Sequence, residues 1–192
     1  MKRLIFALAL LTGLSSQVQA NSTLYDEVVT VGFNDTWILV DSENSRLSLF
    51  DGKEKIRTFY ASIGGNGASD VRRMGDRTTP TGVFSIDDFN FQSKFKKFFR
   101  INYPTDEHVE KGLRDGIINM NEYFYIKDFK ARHGYPPQQT KLGGYIGIHG
   151  LGNKDPYLHT KINWTDGCIA VNNNQIEYLA GKVRKGTKVV IL

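Results

Sequence analysis

Acyl chemistry at sulfur needs a nucleophile and a base, and this chain offers one cysteine and four histidines. Cys168 lies in INWTDGCIAV, residues 162–171, directly behind Asp166 and Gly167. A thiol becomes a useful nucleophile when a base or cation draws off its proton, and histidine is the usual device. Of His108, His133, His149 and His159, the best placed is His149. It closes the alternating apolar run YIGIHG, residues 145–150, where a strand would leave its sheet for a Gly-rich loop. A strand end holds a side chain firmly and leaves it accessible. Cys168 follows 19 positions later, in a turn where Gly167 lets backbone approach backbone and Asp166 favours turn geometry. Such a turn can aim consecutive amides at one point, as stabilising an oxyanion requires. The expectation is nucleophilic chemistry at Cys168 with His149 as base. A thiolate favoured by His149 would also alkylate faster near neutral pH than a free cysteine.

Two other uses of these residues fail. A metal site from His149, His159 and Asp166 fits no short ligand spacing, and zinc at Cys168 would need more thiolate or imidazole company, so no metal and no other cofactor is expected. In papain-like proteases the cysteine precedes the histidine, and here it follows. His133 in ARHGYPP and His159 in YLHTK stand in polar, loop-like stretches and are expected at the surface.

The elements that must position the pair read as mostly β with short helices, an α+β chain. TWILVD, RLSLF and KIRTFYASI are rich in β-branched and aromatic residues, and the last two flank Asp51-Gly52, a strong hairpin signal. GGNGASD, residues 64–70, reads as a turn; it lacks the Gly-Lys-Ser/Thr and the strand-to-helix setting of a phosphate cradle. VFSI, YFYI, YIGIHG and TKVVIL read as strands. NNNQIEYLAGKV reads as an Asn-capped helix with Ile176, Leu179, Ala180 and Val183 at helical spacing. Residues 87–122 are polar, aromatic and irregular, and read as helices or loops inserted between strands. KFKKFFR, residues 94–100, reads as a solvated surface segment.

The chain opens with MKRLIFALALLTGLSSQVQA, a secretory signal with Lys2 and Arg3, an apolar run and a small-residue cleavage site at Val18-Gln19-Ala20. Leu4 to Leu14 is too short to span a bilayer, which needs about 20 apolar residues, so an exported protein without a stable membrane anchor is expected, with the periplasm as its compartment. Residues 1–20 are then the signal, 21–35 a lead and 36–192 the catalytic domain. Export places Cys168 in an oxidising compartment with no internal partner, which suggests intermolecular pairing or a reactive thiol, the alternative being a buried cysteine that acts as a small hydrophobe. Losing the signal takes the formal charge from +5 to +3, mild enough to suit an anionic polymer such as a cell wall and too small to argue for nucleic acid.

His149-Gly150, followed by Thr165-Asp166-Gly167-Cys168-Ile169, resembles the His-Gly … Ser/Thr-x-Gly-Cys signature of YkuD-type L,D-transpeptidases. GDRTTPTGVFSI, residues 75–86, resembles the Thr-Pro-x-Gly-x-Phe element of the same family. The resemblance covers roughly Trp37 to Leu192. It implies a β-sandwich-like catalytic domain and a cysteine acyltransferase that acts on peptidoglycan stem peptides. The cysteine would attack the carbonyl of an L-centre such as diaminopimelate, release D-alanine and hold the stem as a thioester. An amine of a neighbouring stem, or of a wall-attached protein, would take the acyl group; water would make the enzyme an L,D-carboxypeptidase or amidase. A wall-binding module without activity is the remaining alternative, opposed by the retention of both Cys168 and His149.

Carried over by position, the resemblance makes Cys168 the nucleophile and His149 the general base. The Gly150 carbonyl would orient the imidazole, the N–H groups of Gly167 and Cys168 would hold the oxyanion, and Thr165 would brace the turn. Two positions depart from the family pattern. Asp166 stands where many relatives have a second histidine, and is expected to brace the turn by accepting backbone N–H bonds. Ala170 stands where many have an arginine, which removes a partner for a substrate carboxylate. Arg72, Arg73 and Arg132 are candidate substitutes for it. Tyr145 and Trp164 are further candidate substrate contacts.

Overall fold

The computed structural model describes residues 33–192; the expected signal, and the lead up to residue 32, lie outside the described residues. Asp51-Gly52 makes the expected hairpin between β2 (Arg46–Asp51) and β3 (Glu54–Tyr60), with Gly52 at φ +57°, a conformation that favours glycine. β1 (Thr36–Asp41) pairs antiparallel with β2 and parallel with the C-terminal strand β10 (Lys188–Ile191). β10 in turn pairs with β6 (Gly82–Asn90), then come β7 (Phe98–Ile101), β8 (Gly147–His149) and β9 (Ile169–Ala170). The order β3-β2-β1-β10-β6-β7-β8-β9 forms one curled eight-stranded sheet, and β4 (Ala68–Ser69) with β5 (Thr79–Pro80) makes a separate ribbon. The fold is mostly β with few short helices, as expected.

Strands at the middle of the sheet are covered on both faces. Ile38 and Val40 enter the main core with Leu47, Leu49, Phe84, Ile148 and Ile169. Trp37 and Leu39 point the other way and join Phe50 and Val190 in a smaller cluster, where the Trp37 and Phe50 rings stack at 4.4 Å. A run such as WILV, apolar at every position, is what a strand buried on both faces requires. Helix α4 (Asn173–Ala180) packs Ile176 and Leu179 into the main core, and its Gln175 side chain accepts from the Asn172 N–H at 2.9 Å.

Three expectations are corrected. YFYI is not a strand: it lies inside α2 (Met120–His133), which begins where Asn119 accepts from the Glu122 N–H and ends at Gly134 with φ +77°. Cap signals at both ends and a 14-residue span outweigh a four-residue apolar run. The irregular middle contains α1 (Asp106–Arg114), as an inserted helix, but also β7, an interior strand of the sheet. Phe99 and Ile101 on β7 are fully buried, so KFKKFFR is a solvated segment only in its first half. Its lysines fall before the strand, and Arg100 within it pairs with Asp87 at 2.8 Å. The charge count hid the alternation of Phe99 and Ile101.

Candidate active site

β8 is the strand that joins the two sequence motifs. It runs antiparallel to β7, with His149 opposite Phe98, and parallel to β9, with Ile148 opposite Ile169 and His149 opposite Ala170. Cys168 sits one residue before β9 and so comes beside Gly147. A side chain at Gly147 would meet the Phe99 carbonyl oxygen at 2.3 Å and the Phe98 ring at 2.8 Å, so β8 approaches β7 this closely only with glycine there. The nucleophile candidate and the imidazole therefore occupy neighbouring strands, despite 18 intervening residues.

His149 is 2 % exposed and walled by aromatic rings: Phe95 stacks on it at 4.3 Å, Phe98 lies at 6.3 Å and Trp164 meets it edge-on at 5.9 Å. Its Nδ1 is 2.7 Å from the Gly150 carbonyl oxygen. A carbonyl only accepts, so Nδ1 carries the hydrogen and Nε2 keeps the lone pair. Burial pushes the imidazole down to about 4, against the pull of the Gly150 carbonyl.

The Cys168 turn is braced by Thr165, whose hydroxyl donates to the Cys168 carbonyl at 2.6 Å and accepts from the Gly167 N–H at 3.2 Å. Gly167 has φ +121°, and a side chain there would meet the Thr78 carbonyl oxygen at 2.5 Å. Because Thr165 engages the Gly167 N–H, the Cys168 N–H is the turn's remaining candidate oxyanion donor. The thiol itself donates to the Tyr145 carbonyl at 3.3 Å. Tyr145 is held at φ +54°, rare for a residue with a side chain, by its N–H bond to the buried Gln138 side chain at 2.7 Å. Although part of Cys168 reaches solvent, burial around the sulfur pushes the thiol up to about 11, opposed by the Gly147 N–H and by Arg72. The resting groups are thus a neutral thiol and a neutral imidazole on paired segments of the sheet. This corrects the expectation of a thiolate favoured by His149 in the free protein.

The other predicted residues fall in different places. The Asp166 carboxylate does not brace the turn: its side chain is 90 % exposed and pairs with Arg77 at 3.3 Å, while its backbone carbonyl accepts from Arg72 Nη2 at 3.2 Å. Trp164 lies against His149, and Tyr145, whose backbone carbonyl accepts from the thiol, is exposed. Arg72 is 4 % exposed under the Cys168 turn. Arg73 lines a separate hollow of about 470 Å³ with Met74, Glu122, Thr140 and Lys141. Arg132 lies exposed in the last turn of α2, paired with Asp128. Ala170 is fully buried. Among the described residues, no three His, Cys, Asp or Glu side chains gather where they could hold a metal ion.

His159 is not at the surface. It is 1 % exposed at the end of α3 (Pro156–His159), where Asp155 caps the helix and Tyr157 and Leu158 face solvent instead. The Ser62 hydroxyl donates to the His159 carbonyl at 2.7 Å, so the 2.8 Å contact between Ser62 Oγ and His159 Nδ1 is a bond donated by the ring. Its polar neighbours in sequence concealed the inward turn. Phe95, Phe98 and Gln138 also shape the site and were missed, although the phenylalanines stood in view within KFKKFFR. His133 is exposed, as expected.

Residues 35–191 match the family of YkuD L,D-transpeptidase catalytic domains. The chain belongs to that family. No curated protein matches it. Among solved structures, this YkuD domain is similar to Bd1075 of Bdellovibrio bacteriovorus, with 26 % identity, a TM-score of 0.50 and coverage of 83 % of this chain and 48 % of that one. It is also similar to the helical cell shape determining protein Pgp2 of Campylobacter jejuni, with 20 % identity, a TM-score of 0.54 and coverage of 83 % and 49 %. The chain spans about half the length of both.

Burial of three histidines makes the YkuD domain acid-sensitive. His149 falls from the ordinary 6.5 to about 4, and His108 and His159 are also lowered, all by burial. Below the ordinary imidazole range the unfolded chain takes up protons that the folded one refuses, so stability falls as pH drops from 6.5 toward 4. His149 alone contributes about 3 kcal/mol, at roughly 1.4 kcal/mol per tenfold change in proton affinity. Thermal melting at pH 7, 5.5 and 4.5 should show a steady loss; a constant melting temperature would refute it.

Proposed function

We propose that this domain is a cysteine acyltransferase of the L,D-transpeptidase class, acting on peptidoglycan stem peptides outside the cytoplasmic membrane. The observation that carries the reading is the 2.7 Å bond from His149 Nδ1 to the Gly150 carbonyl, which leaves the Nε2 lone pair as the base on the strand beside Cys168. The thiol turns from the Tyr145 carbonyl toward His149, and Nε2 takes its proton. Sulfur attacks the acyl carbon of the L-centre, and the Cys168 N–H supports the oxyanion. Collapse breaks the amide bond, and the departing D-alanine amine takes the proton from His149. The stem remains as a thioester. An acceptor amine gives a proton to His149 as it attacks, and the released sulfur takes that proton back. Gly150 orients the base in the place that an acidic residue fills in other triads. Trp164, against His149, and Tyr145, exposed and joined to the thiol through its backbone carbonyl, are the proposed substrate contacts. Export through the N-terminal signal would bring the domain to its wall substrate.

Incubating the protein with tetrapeptide muropeptides and weighing the products tests this. Crosslinked dimers are expected. A monomer shortened by D-alanine would transfer the same thioester to water and make the domain an L,D-carboxypeptidase. Unchanged muropeptides would sink the enzymatic reading and leave a wall-binding module.

A further inference from the structure

A buried cation without a full set of partners lies under the nucleophile turn. Arg72 is 4 % exposed, and its Nε and Nη1 are buried with no hydrogen-bond partner. A guanidinium with unmet donors in such a place is costly, and the protein has built room for it. Gly143 turns above it at φ +82°, with a notional side chain 3.5 Å from the guanidinium carbon. At Gly167 such a side chain would come within 2.7 Å of Nη1, so the guanidinium is packed flat against the turn. The donated bond is Nη2 to the Asp166 carbonyl at 3.2 Å. Among the described residues the one carboxylate in ion-pair range is Asp76, at 3.7 Å from Nε, while the Tyr103 ring lies 5.9 Å away. These atoms are closed to substrate, so Arg72 does not replace the missing arginine at Ala170 as a substrate contact.

We propose that Arg72 is a positioning residue that fixes the Asp166–Gly167 peptide and supplies the positive field for negative charge forming at Cys168. The proposal rests on the reading of Cys168 as nucleophile. Its bond to the Asp166 carbonyl anchors that peptide, whose N–H is already given to Thr165, and so sets the direction of the next amide, that of Cys168. Its charge stays close because no solvent separates guanidinium from turn, and Asp76 only partly offsets it. The groups facing the sulfur act with known signs. Arg72 draws the thiol's proton affinity down and Asp166 pushes it up, though Arg77 pairs with that carboxylate at the surface. His149, on the neighbouring strand, is neutral above pH of about 4.

The test is the rate of Cys168 alkylation by iodoacetamide at pH 8 to 9, where the rate follows the thiolate fraction and no wall substrate is involved. Arg72→Met fills the same volume without charge and should react about three-fold more slowly, the net of a tenfold loss of thiolate and a gain in intrinsic nucleophilicity. Arg72→Lys should restore most of the native rate, which a purely structural role would not do. Asp76→Asn keeps an acceptor for the Thr78 N–H and removes the offsetting charge, so it should react faster than the native protein. A native rate in Arg72→Met, or a slower rate in Asp76→Asn, overturns the proposal. Should the Met variant not fold, Asp76→Asn decides alone: a faster rate supports the proposal and an unchanged or slower one overturns it. Muropeptide turnover reports separately on the acyltransferase reading, so either can fail without the other.

Discussion

Replacing His149 with alanine should lower acyl transfer by roughly 10²-fold or more, the scale for loss of a general acid–base, and Cys168→Ala should abolish it. In the proposed mechanism the imidazole serves both halves of the reaction, so its loss should affect thioester formation and aminolysis alike. Substrate binding should change little, since the ring is 2 % exposed and enclosed by Phe95, Phe98 and Trp164. Alanine leaves a cavity among those rings, and His149→Gln, which fills more of it, separates lost chemistry from lost packing. Alkylation gives a second separation. In the resting protein the thiol donates to the Tyr145 carbonyl, so its reactivity toward iodoacetamide should hardly depend on His149. Turnover of both His149 variants within about tenfold of native would remove His149 as the base.

The approach of Cys168 and His149 on paired segments of the sheet was legible in the sequence because its signals are local and independent. A strand-end histidine, a Gly-Cys turn and an unpaired cysteine each have a physical meaning before any strand is placed. The β1 to β3 meander was legible for the same reason: alternation and the Asp51-Gly52 turn act over a few residues. What escaped depends on partners distant in the chain. KFKKFFR looks solvated until β6 and β8 flank it, and then Phe95 and Phe98 become the wall that desolvates His149. YFYI has no periodicity of its own to choose helix over strand, and the caps at Asn119 and Gly134 settle it. His159 turns inward because Ser62, 97 residues earlier, offers its hydroxyl.

The three candidate arginines carry the same lesson about charge. Sequence alone offered Arg72, Arg73 and Arg132 as equals. Tertiary structure separates them by burial: Arg132 is answered by a carboxylate within its own helix, Arg73 lines a hollow, and Arg72 is enclosed. A buried charge with unmet donors exerts its field over a longer range than an exposed pair such as Arg77 with Asp166, which solvent screens. That difference assigns the surface pair no catalytic weight and makes Asp166→Asn a mild change.

The resting thiol should alkylate at pH 7 about tenfold more slowly than a free cysteine, or slower still. Burial pushes it from the ordinary 9 up to about 11, which reduces the thiolate fraction by roughly 100-fold. A more basic thiolate is a better nucleophile, and that recovers roughly 6- to 10-fold of the loss. Restricted access to a sulfur held against the Tyr145 carbonyl can only add to the deficit. The rate should climb with pH through 9 and 10 with no plateau near neutrality, because no imidazolium is present to hold an earlier thiolate: His149 is protonated only below about 4. The proposed mechanism then assigns nucleophile activation to the substrate-bound state, where the thiol would turn to Nε2 and lose its proton as sulfur attacks. A free-protein rate equal to or above that of cysteine at pH 7, with a plateau between pH 5 and 8, would reveal a preformed thiolate–imidazolium pair and overturn this order of events.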